Sequence, residues 1–472
     1  MTKNWIKRIL ILSAFVGGVF APALAQSLYT VSPLPFNTRE YDEFAAVPYN
    51  DGVVFCSNRA PSLFISRVDS ANHSLLDLYF VRKKANQKWG TPESFSNVIN
   101  TQYHEGPATF GNNGKTMMFS QNTPDFEGIF TAVSNGNGWG QITPFIYNTP
   151  NAMTGHPNLS ADGKRLFFIS NRKGGFGGFD IYGCNLVRNR WSTPKNLGPE
   201  INSAVDELYP FYCSNGRLYF ASNRKNGMGG LDIYYSREVN GKWTRPILLP
   251  APINSPEDDF AYTADTTDRQ GYISSTRNNR NRVSDIFEFR MNFPVFVNKA
   301  KLQEKNTYTY EFFEQSTINT DTTSFLYEWD FGDKTKIRGK SLEVEHTFAK
   351  PGDYLVQLNV IDTLTGQLYK NQAANLFPVR DVEQPFITCR DTVIVGQPVL
   401  FDASKTYLPE VQSQEYYWDF SDGELGQGKS LSHSFAEPGL YRIYLGVTGQ
   451  DATQQKTVVA SYRDIWVIKP LK

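Results

Sequence analysis

Short runs of alternating apolar and polar residues, closed by Gly, Pro, Asn or Asp, fill the chain from about residue 28 onward. Alternation at period two marks strands, and no segment keeps an apolar spacing of three and four for the length of a helix. The runs recur. FCSNR (55–59), MFSQN (118–122), FISNR (168–172), FASNR (220–224) and ISSTR (273–277) each follow a turn such as NDG or ADGK. Each also precedes an acid with an aromatic close behind: Asp77, Glu127, Asp180, Asp232 and Asp285. Between these sets, Trp89, Trp139, Trp191 and Trp243 stand shortly before a Pro, at intervals of 50, 52 and 52 residues.

A repeat of ~40–50 residues with four short strands is the pattern of a β-propeller, because one four-stranded blade cannot bury both faces and needs neighbours on each side. Five sets of three inner strands are present, but only four Trp-Pro outer strands follow them, since the fifth set ends near Met291. The missing outer strand is expected at residues 28–38, whose end is like the LGPEINS and LPAPINS segments. The pattern therefore predicts an all-β chain with a five-bladed β-propeller over residues 26–292, closed by its N-terminal strand so that no edge stays open. SADGKRLFFISNRKGGFGGFDIY (160–182) and SNGRLYFASNRKNGMGGLDIY (214–234) resemble the repeats of TolB-like, PD40-type (WD40-like) propellers in exported envelope proteins, especially those of the Bacteroidota. That resemblance implies a binding or scaffold domain.

After Met291 the period changes. Tyr327-Glu-Trp-Asp-Phe-Gly-Asp333, His346-Thr-Phe348 and Pro351-Gly-Asp-Tyr354 return as Tyr417-Trp-Asp-Phe-Ser-Asp422, His433-Ser-Phe435 and Pro438-Gly-Leu-Tyr441. His, Phe, Gly and Tyr are displaced by 87 residues and Trp by 89, which predicts two immunoglobulin-like β-sandwiches, at 293–380 and 381–472. The pattern resembles the PKD domain, with Trp329-Asp330 and Trp418-Asp419 as its hallmark; Lys334 stands where that hallmark has its second Gly, and Ser421 where it has its first. Such domains in exported proteins resemble spacers and protein- or glycan-contacting modules.

The first 25 residues change the picture of location. Lys3, Lys7 and Arg8 precede an apolar run over residues 9–20, and Ala23-Leu24-Ala25 supplies the small residues of a cleavage site, so a signal peptide ending before Gln26 is expected. Pro22 and two glycines in so short a core speak against a retained anchor, and no later stretch approaches ~20 apolar residues, so no transmembrane segment is expected in the mature chain. Removing the leader leaves 44 basic against 47 acidic residues, too even a balance to draw the protein to nucleic acid or an anionic membrane. Cys56, Cys184, Cys213 and Cys389 lie in separate apolar segments; buried free thiols are the plain reading, and a Cys184–Cys213 bridge stays open.

Candidate chemistry is sparse. No HExxH, GxSxG or phosphate-cradling loop occurs, and GGFGG (174–178) joins two expected strands and opens no helix. His346 and His433 hold equivalent places in duplicated modules, as a structural residue does. The acids Asp330, Asp333, Asp419 and Asp422 leave two readings open, calcium ligands or turn caps; no other cofactor or metal is expected. In the propeller, Asp42-Glu43, His104-Glu105, Gly155-His156, Asp206-Glu207 and Asp258-Asp259 lead into the innermost strands, facing Arg59, Asn122, Arg172, Arg224 and Arg277. Together with Asp77, Asp180, Asp232 and Asp285, most of these read as a structural repeat. Blades two and three break it in complementary ways, Glu105 facing Asn122 and Arg172 facing His156. From Arg or Asn to the following acid is 8 residues in blades three to five, 5 in blade two and 18 in blade one, whose long loop carries Leu63, Phe64 and Ile65. These eight residues, Leu63, Phe64, Ile65, His104, Glu105, Asn122, His156 and Arg172, are the candidate partner site. The expected protein is a non-enzymatic periplasmic scaffold bound to outer-membrane or periplasmic proteins. Its resemblance to Bacteroidota envelope components implies type IX secretion or gliding machinery as the expected setting. The alternative is a surface or secreted adhesin that stacks glycan on Tyr407, Tyr416, Tyr417 and Tyr441.

Overall fold

The computed structural model describes residues 28–470 except 61–67, 69–73, 86–87, 112, 137, 240, 278–282 and 315–323. The signal peptide expected at 1–25 lies outside the described residues. The chain forms two compact units, Met1–Asn292 and Phe293–Lys472.

Among the described residues the first unit is built of five antiparallel sheets. Blade I comprises Glu43–Tyr49, Gly52–Ser57, Asp77–Arg82 and Glu93–Ser94; blade II comprises Glu105–Gly111, Thr116–Asn122, Glu127–Ser134 and Trp139–Pro144. The three long strands are Thr154–Leu159, Arg165–Ser170 and Asp180–Val187 in blade III, and Glu207–Tyr212, Arg217–Ser222 and Asp232–Val239 in blade IV. Blade V joins Asp259–Ala264, Gln270–Ser275 and Asp285–Met291 to the N-terminal strand Tyr29–Pro33, which sets Val31 opposite Phe289. The innermost strands touch in order from I to V, and the fifth touches the first, which closes the propeller. Because each blade is covered on both faces, its second strand is a continuous apolar run rather than an alternating one: residues 53–57, 166–170 and 218–222 are buried throughout.

Blades packed this tightly strand polar backbone groups away from water, and side chains replace the missing partners. In every blade one Asn amide bridges the residue near the start of the third strand. Asn100 Nδ2 donates to Leu78 O at 2.8 Å, and its Oδ1 accepts from Leu78 N at 2.9 Å. The same two bonds join Asn37 to Ile286, Asn148 to Ile129, Asn202 to Ile181 and Asn254 to Ile233. The outer strand is only two residues long in blade I, so the amide does the work of a strand. Each innermost strand also carries a bulge. At it Ala45, His156, Tyr209 and Ala261 adopt φ near +50°, which turns N–H groups sideways. Ala45 N thereby reaches Ser274 Oγ, and His156 N reaches Ser120 Oγ, each in the preceding blade and each at 2.9 Å.

The second unit holds two β-sandwiches. In the first, Thr309–Phe313 pairs with Glu343–Thr347, facing a sheet of Lys336–Gly339, Phe325–Asp330, Gly352–Asp362 and Leu368–Val379. In the second, Val399–Asp402 pairs with Ser430–His433, facing Leu425–Gln427, Gln412–Asp419, Gly439–Gln450 and Lys456–Ile468. Trp329 and Trp418 lie in the two cores. The outer side of Lys456–Ile468 is covered by two parallel strands, Thr392–Ile394 and Lys301–Leu302. Lys301–Leu302 stands about ninety residues before Thr392–Ile394, so the opening strand of the first sandwich lies on the sheet of the second. Upstream of it, Phe296 packs on Gly446, and Phe293 meets Tyr417 edge-on at 5.5 Å. The matching strand of the first sandwich, Leu368–Val379, has no outer partner among the described residues. Lys370, Pro378 and a bulge at Asn371, with φ 56°, blunt that edge.

Asn202→Ala strips two buried backbone groups of their partners and is expected to cost about 2–4 kcal/mol in urea denaturation, with a loss below about 0.5 kcal/mol showing the clamp to be idle. Replacing Lys370 and Pro378 together by Val removes two edge guards. Sedimentation velocity should then find more self-association than in the parent chain, and an unchanged profile would count against the edge argument.

Candidate functional site at one mouth of the propeller channel

Each innermost strand opens on a pair of residues with divided duties. The first of the pair accepts an N–H from the loop of the preceding blade: Asp42 from Ser284, Asp206 from Phe179, Asp258 from Leu231 and, through Nδ1, His104 from Leu76. The second, Glu43, Glu105, Glu207 or Asp259, is 0 % exposed. Thr38, Thr101, Ser203 and Ser255 respectively donate hydroxyls to these acids. A buried carboxylate also needs a counter-charge. Blades I, IV and V supply one: Arg59 reaches Glu43 at 2.7 Å, Arg224 reaches Glu207 at 3.0 Å, and Arg277 pairs with Asp259. These guanidinium groups lie over Phe55, Phe220 and Phe287. They also bind carbonyls of the preceding connection, such as Phe36 O and Pro252 O.

Blades II and III differ, and in a register other than the one spacing suggests. Gln121 lies opposite Glu105, as Ser57 lies opposite Glu43, so Asn122 aligns with Asn58 and Thr123 takes the arginine's place. In the same way Gly128, not Glu127, holds the place of Asp77. In blade III Thr154 lies opposite Ser170 and holds the acid's place, while His156 sits two residues further on, at the bulge. Arg172 therefore meets no carboxylate among the described residues. It donates to Ser170 Oγ at 3.1 Å and to Tyr147 O and Thr154 Oγ1 at 3.3 Å, over the rings of Phe168 and Tyr182, and burial pulls its pKa down.

Glu105 is the converse case. Gln121 Nε2 donates to its Oε1 at 2.9 Å, a neutral donor where the other blades have a cation, and its buried Oε2 has no partner. Desolvation pushes its pKa up to about 7, with the nearby Asp77 adding to the rise and the bonds from Thr101 and Gln121 opposing it.

Three cavities lie in series along the propeller channel. The narrow middle, about 30 Å³, is walled by the innermost strands at Ala45, Ala108, His156, Tyr209 and Ala261. There His156 stacks on Tyr209 at 4.0 Å, and Tyr209 meets Phe260 at 5.1 Å. One mouth, about 200 Å³, is walled by Thr109, Phe110, Phe211 and Cys213. The other, about 220 Å³, is lined by His104, Gln121, Asn122, Glu127, Thr154 and His156, over a floor that includes Phe44 and Tyr209. Sequence reasoning thus named three residues that share this mouth, His104, Asn122 and His156. Glu105 lies behind Gln121, Arg172 does not line the mouth, and Leu63, Phe64 and Ile65 lie outside the described residues. Gln121, Thr154 and Tyr209 were missed, because only the paired register reveals their places. Burial lowers the His156 pKa to about 3, so the ring is neutral; its Nδ1 accepts from Tyr209 N at 3.3 Å, which puts the ring proton on Nε2.

Most of the other candidates are held by internal contacts. Asp180 accepts N–H bonds from Phe176 and Gly177, and Asp232 from Met228 and Gly229, which fixes the two Gly-rich hairpins. Asp285 is half-buried, and its pKa is raised by desolvation. Asp330, Asp333, Asp419 and Asp422 each accept a backbone N–H of their own turn. His346 meets Asp333 at 2.8 Å and stacks on Phe331, and His433 meets Asp422 at 2.7 Å and stacks on Phe420. Among the described residues no three His, Cys, Asp or Glu side chains cluster as metal ligands would. The four cysteines are free thiols. Tyr417 is buried, and Tyr416 and Tyr441 pack against the second core. Tyr407 is bridged through its backbone to Gln384.

The family model described as PKD domain matches residues 294–373 and 382–463. Both C-terminal sandwiches are PKD domains. Solved structures similar to this chain include a putative TolB from Agrobacterium tumefaciens, at 13 % identity, covering 74 % of this chain and 89 % of that one, with a TM-score of 0.34. TolB from Acinetobacter baumannii follows at 14 % identity, 72 % and 64 % coverage and a TM-score of 0.32. A thermostable family-43 glycoside hydrolase is similar at 13 % identity, 56 % and 94 % coverage and a TM-score of 0.37. Among the described residues no helix is long and apolar enough to cross a membrane.

The raised pKa of Glu105 carries a sign. The folded state holds the proton more tightly than the unfolded state, whose carboxyl titrates near its ordinary value of 4.5, so stability falls as pH rises from about 4.5 to 7 and stays reduced above. Glu105→Gln should remove that loss. The variant is expected to exceed the parent by about 1–3 kcal/mol at pH 8 and to match it near pH 4.5, read by urea denaturation at both values. Equal differences at the two pH values would refute the assignment.

Proposed function

We propose that this chain is an exported, non-enzymatic scaffold whose propeller binds a protein partner at the mouth over blades II and III, with the PKD domains as spacer modules. One contrast carries the reading. Most ionisable residues that repeat from blade to blade are engaged in holding loops to strand ends, whereas the mouth gathers residues that break the repeat, with His156 in its lining. Catalysis calls for an unrepeated acid or base placed against a reacting atom. The one strongly perturbed carboxyl here, Glu105, is closed off behind Gln121. The setting that fits is an outer-membrane-associated assembly in the periplasm. Within it we favour type IX secretion or gliding machinery, supported by the resemblance of the propeller repeats to Bacteroidota envelope proteins.

A second reading has its own observation. Trp466 is 57 % exposed beside Leu440, and Tyr462 and Tyr444 continue the same face of the second PKD domain, a surface on which sugar rings could stack at the exterior of the cell.

Affinity capture of the tagged mature chain from gently solubilised envelopes of its native host, followed by mass spectrometry, separates the two. The scaffold reading expects outer-membrane or periplasmic proteins in stoichiometric yield, lost on Gln121→Ala with Asn122→Ala. Recovery of the chain alone, together with its digestion by protease added to intact cells, would replace that reading with the adhesin.

A further inference from the structure

The mouth over blades II and III is one-sided in charge. Its lining includes the carboxylate Glu127 and the titratable groups His104, His156 and Tyr209, with no Lys or Arg among the described residues. His156 is held neutral by burial, and His104 spends Nδ1 on Leu76 N. Immediately behind the wall lies Glu105, whose sequence neighbours His104 and Gly106 and whose hydrogen-bond partner Gln121 all belong to the lining. Asp77 of blade I adds a further negative charge from behind. Three blades answer the same buried acid with a guanidinium. Blade II answers it with an amide, and Phe126 stacks at 5.8 Å on Phe130, which fills the apolar shelf from within. Among the described residues no guanidinium or ammonium group answers Glu105, and the cavity stands beside it on the channel side.

We propose that this mouth receives a lysine or arginine side chain of a partner polypeptide, its cation paired with Glu127 and its field stabilising the ionised form of Glu105. The inference rests on the scaffold reading and names the chemistry of its partner. The apolar floor at Phe44, Met153 and Tyr209 suits the methylene stem of such a side chain, and Asn122 Oδ1 and Gln121 Oε1 offer it neutral acceptors. An acidic side chain would meet Glu127 with no cation to offset the repulsion. Proton linkage then follows. Below about pH 7 Glu105 is protonated in the empty mouth, and an arriving cation favours its ionisation, so binding releases a proton and tightens as pH rises.

The test is isothermal titration of the mature chain with blocked tripeptides, Ala-Lys-Ala, Ala-Arg-Ala, Ala-Gln-Ala and Ala-Glu-Ala, at pH 6 and pH 8 in two buffers of different ionisation enthalpy. The two basic peptides should bind, about fivefold to tenfold more tightly at pH 8, with proton release at pH 6, and the other two should not. Glu105→Gln should keep binding and lose its pH dependence; Glu127→Gln should weaken binding at least about threefold at both pH values, with circular dichroism confirming the fold of each. Binding of the acidic peptide, pH-independent binding, or no binding by any peptide would overturn the proposal. Envelope partners still captured by a chain that ignores these peptides would remove this proposal and leave the scaffold reading standing.

Discussion

A carboxylate taken out of water at the start of an innermost strand is the interaction on which the first unit turns. Its desolvation is costly, so the surrounding chain must supply a hydroxyl, a backbone N–H and a cation at fixed positions. In meeting that demand the arginine ties the second strand to the first, and the hydroxyl ties the connection from the preceding blade to both. Ring closure is thus assembled from local obligations, each met within one blade and its neighbour. The N-terminal strand completes the same pattern, since Asn37 and Thr38 arrive with it. Where the cation is missing, burial raises the acid's pKa, and the wall of the channel keeps a carboxyl that no cation answers among the described residues.

The Asn amides answer a second constraint of the same kind. An outer strand two residues long cannot pair the backbone it faces, and a side-chain amide that both donates and accepts can. The PKD domains meet the requirement differently. Their aromatic cores set Trp, Phe and His in a stack, with the His anchored to a turn acid, so polar and apolar packing are joined in one motif.

Much of this was legible. The Trp marks, the SNR runs and the 87-residue displacement gave strands, blades and modules, because core periodicity leaves a trace at every repeat. Registers were harder. Asn122 and His156 were aligned by counting from apolar runs, and a one-residue or two-residue slip cannot be seen until strands are paired. The Asn clamps had been written plainly, as Asn37-Thr38, Asn100-Thr101, Asn148-Thr149, Asn202-Ser203 and Asn254-Ser255. They passed unread because the dipeptide is an ordinary turn signal, and its long-range bond appears only in three dimensions. Arg172 looked like half of a site and proved to be packed on aromatic rings. Glu105 was noticed for its broken partner, yet the neutral amide that replaces the arginine stands two places before Thr123, where spacing alone had no reason to look.

The crossing of Lys301–Leu302 onto the last strand of the second PKD domain has a topological consequence. That sheet is bordered by the opening strand of the first PKD domain, residues 301–302, and by residues 392–394 of the second domain itself. The first domain is thus sewn by its opening strand to one edge of its neighbour. A cut within it would leave the second domain's border intact, and a pull applied across it would be borne as shear along parallel strands rather than by a free linker.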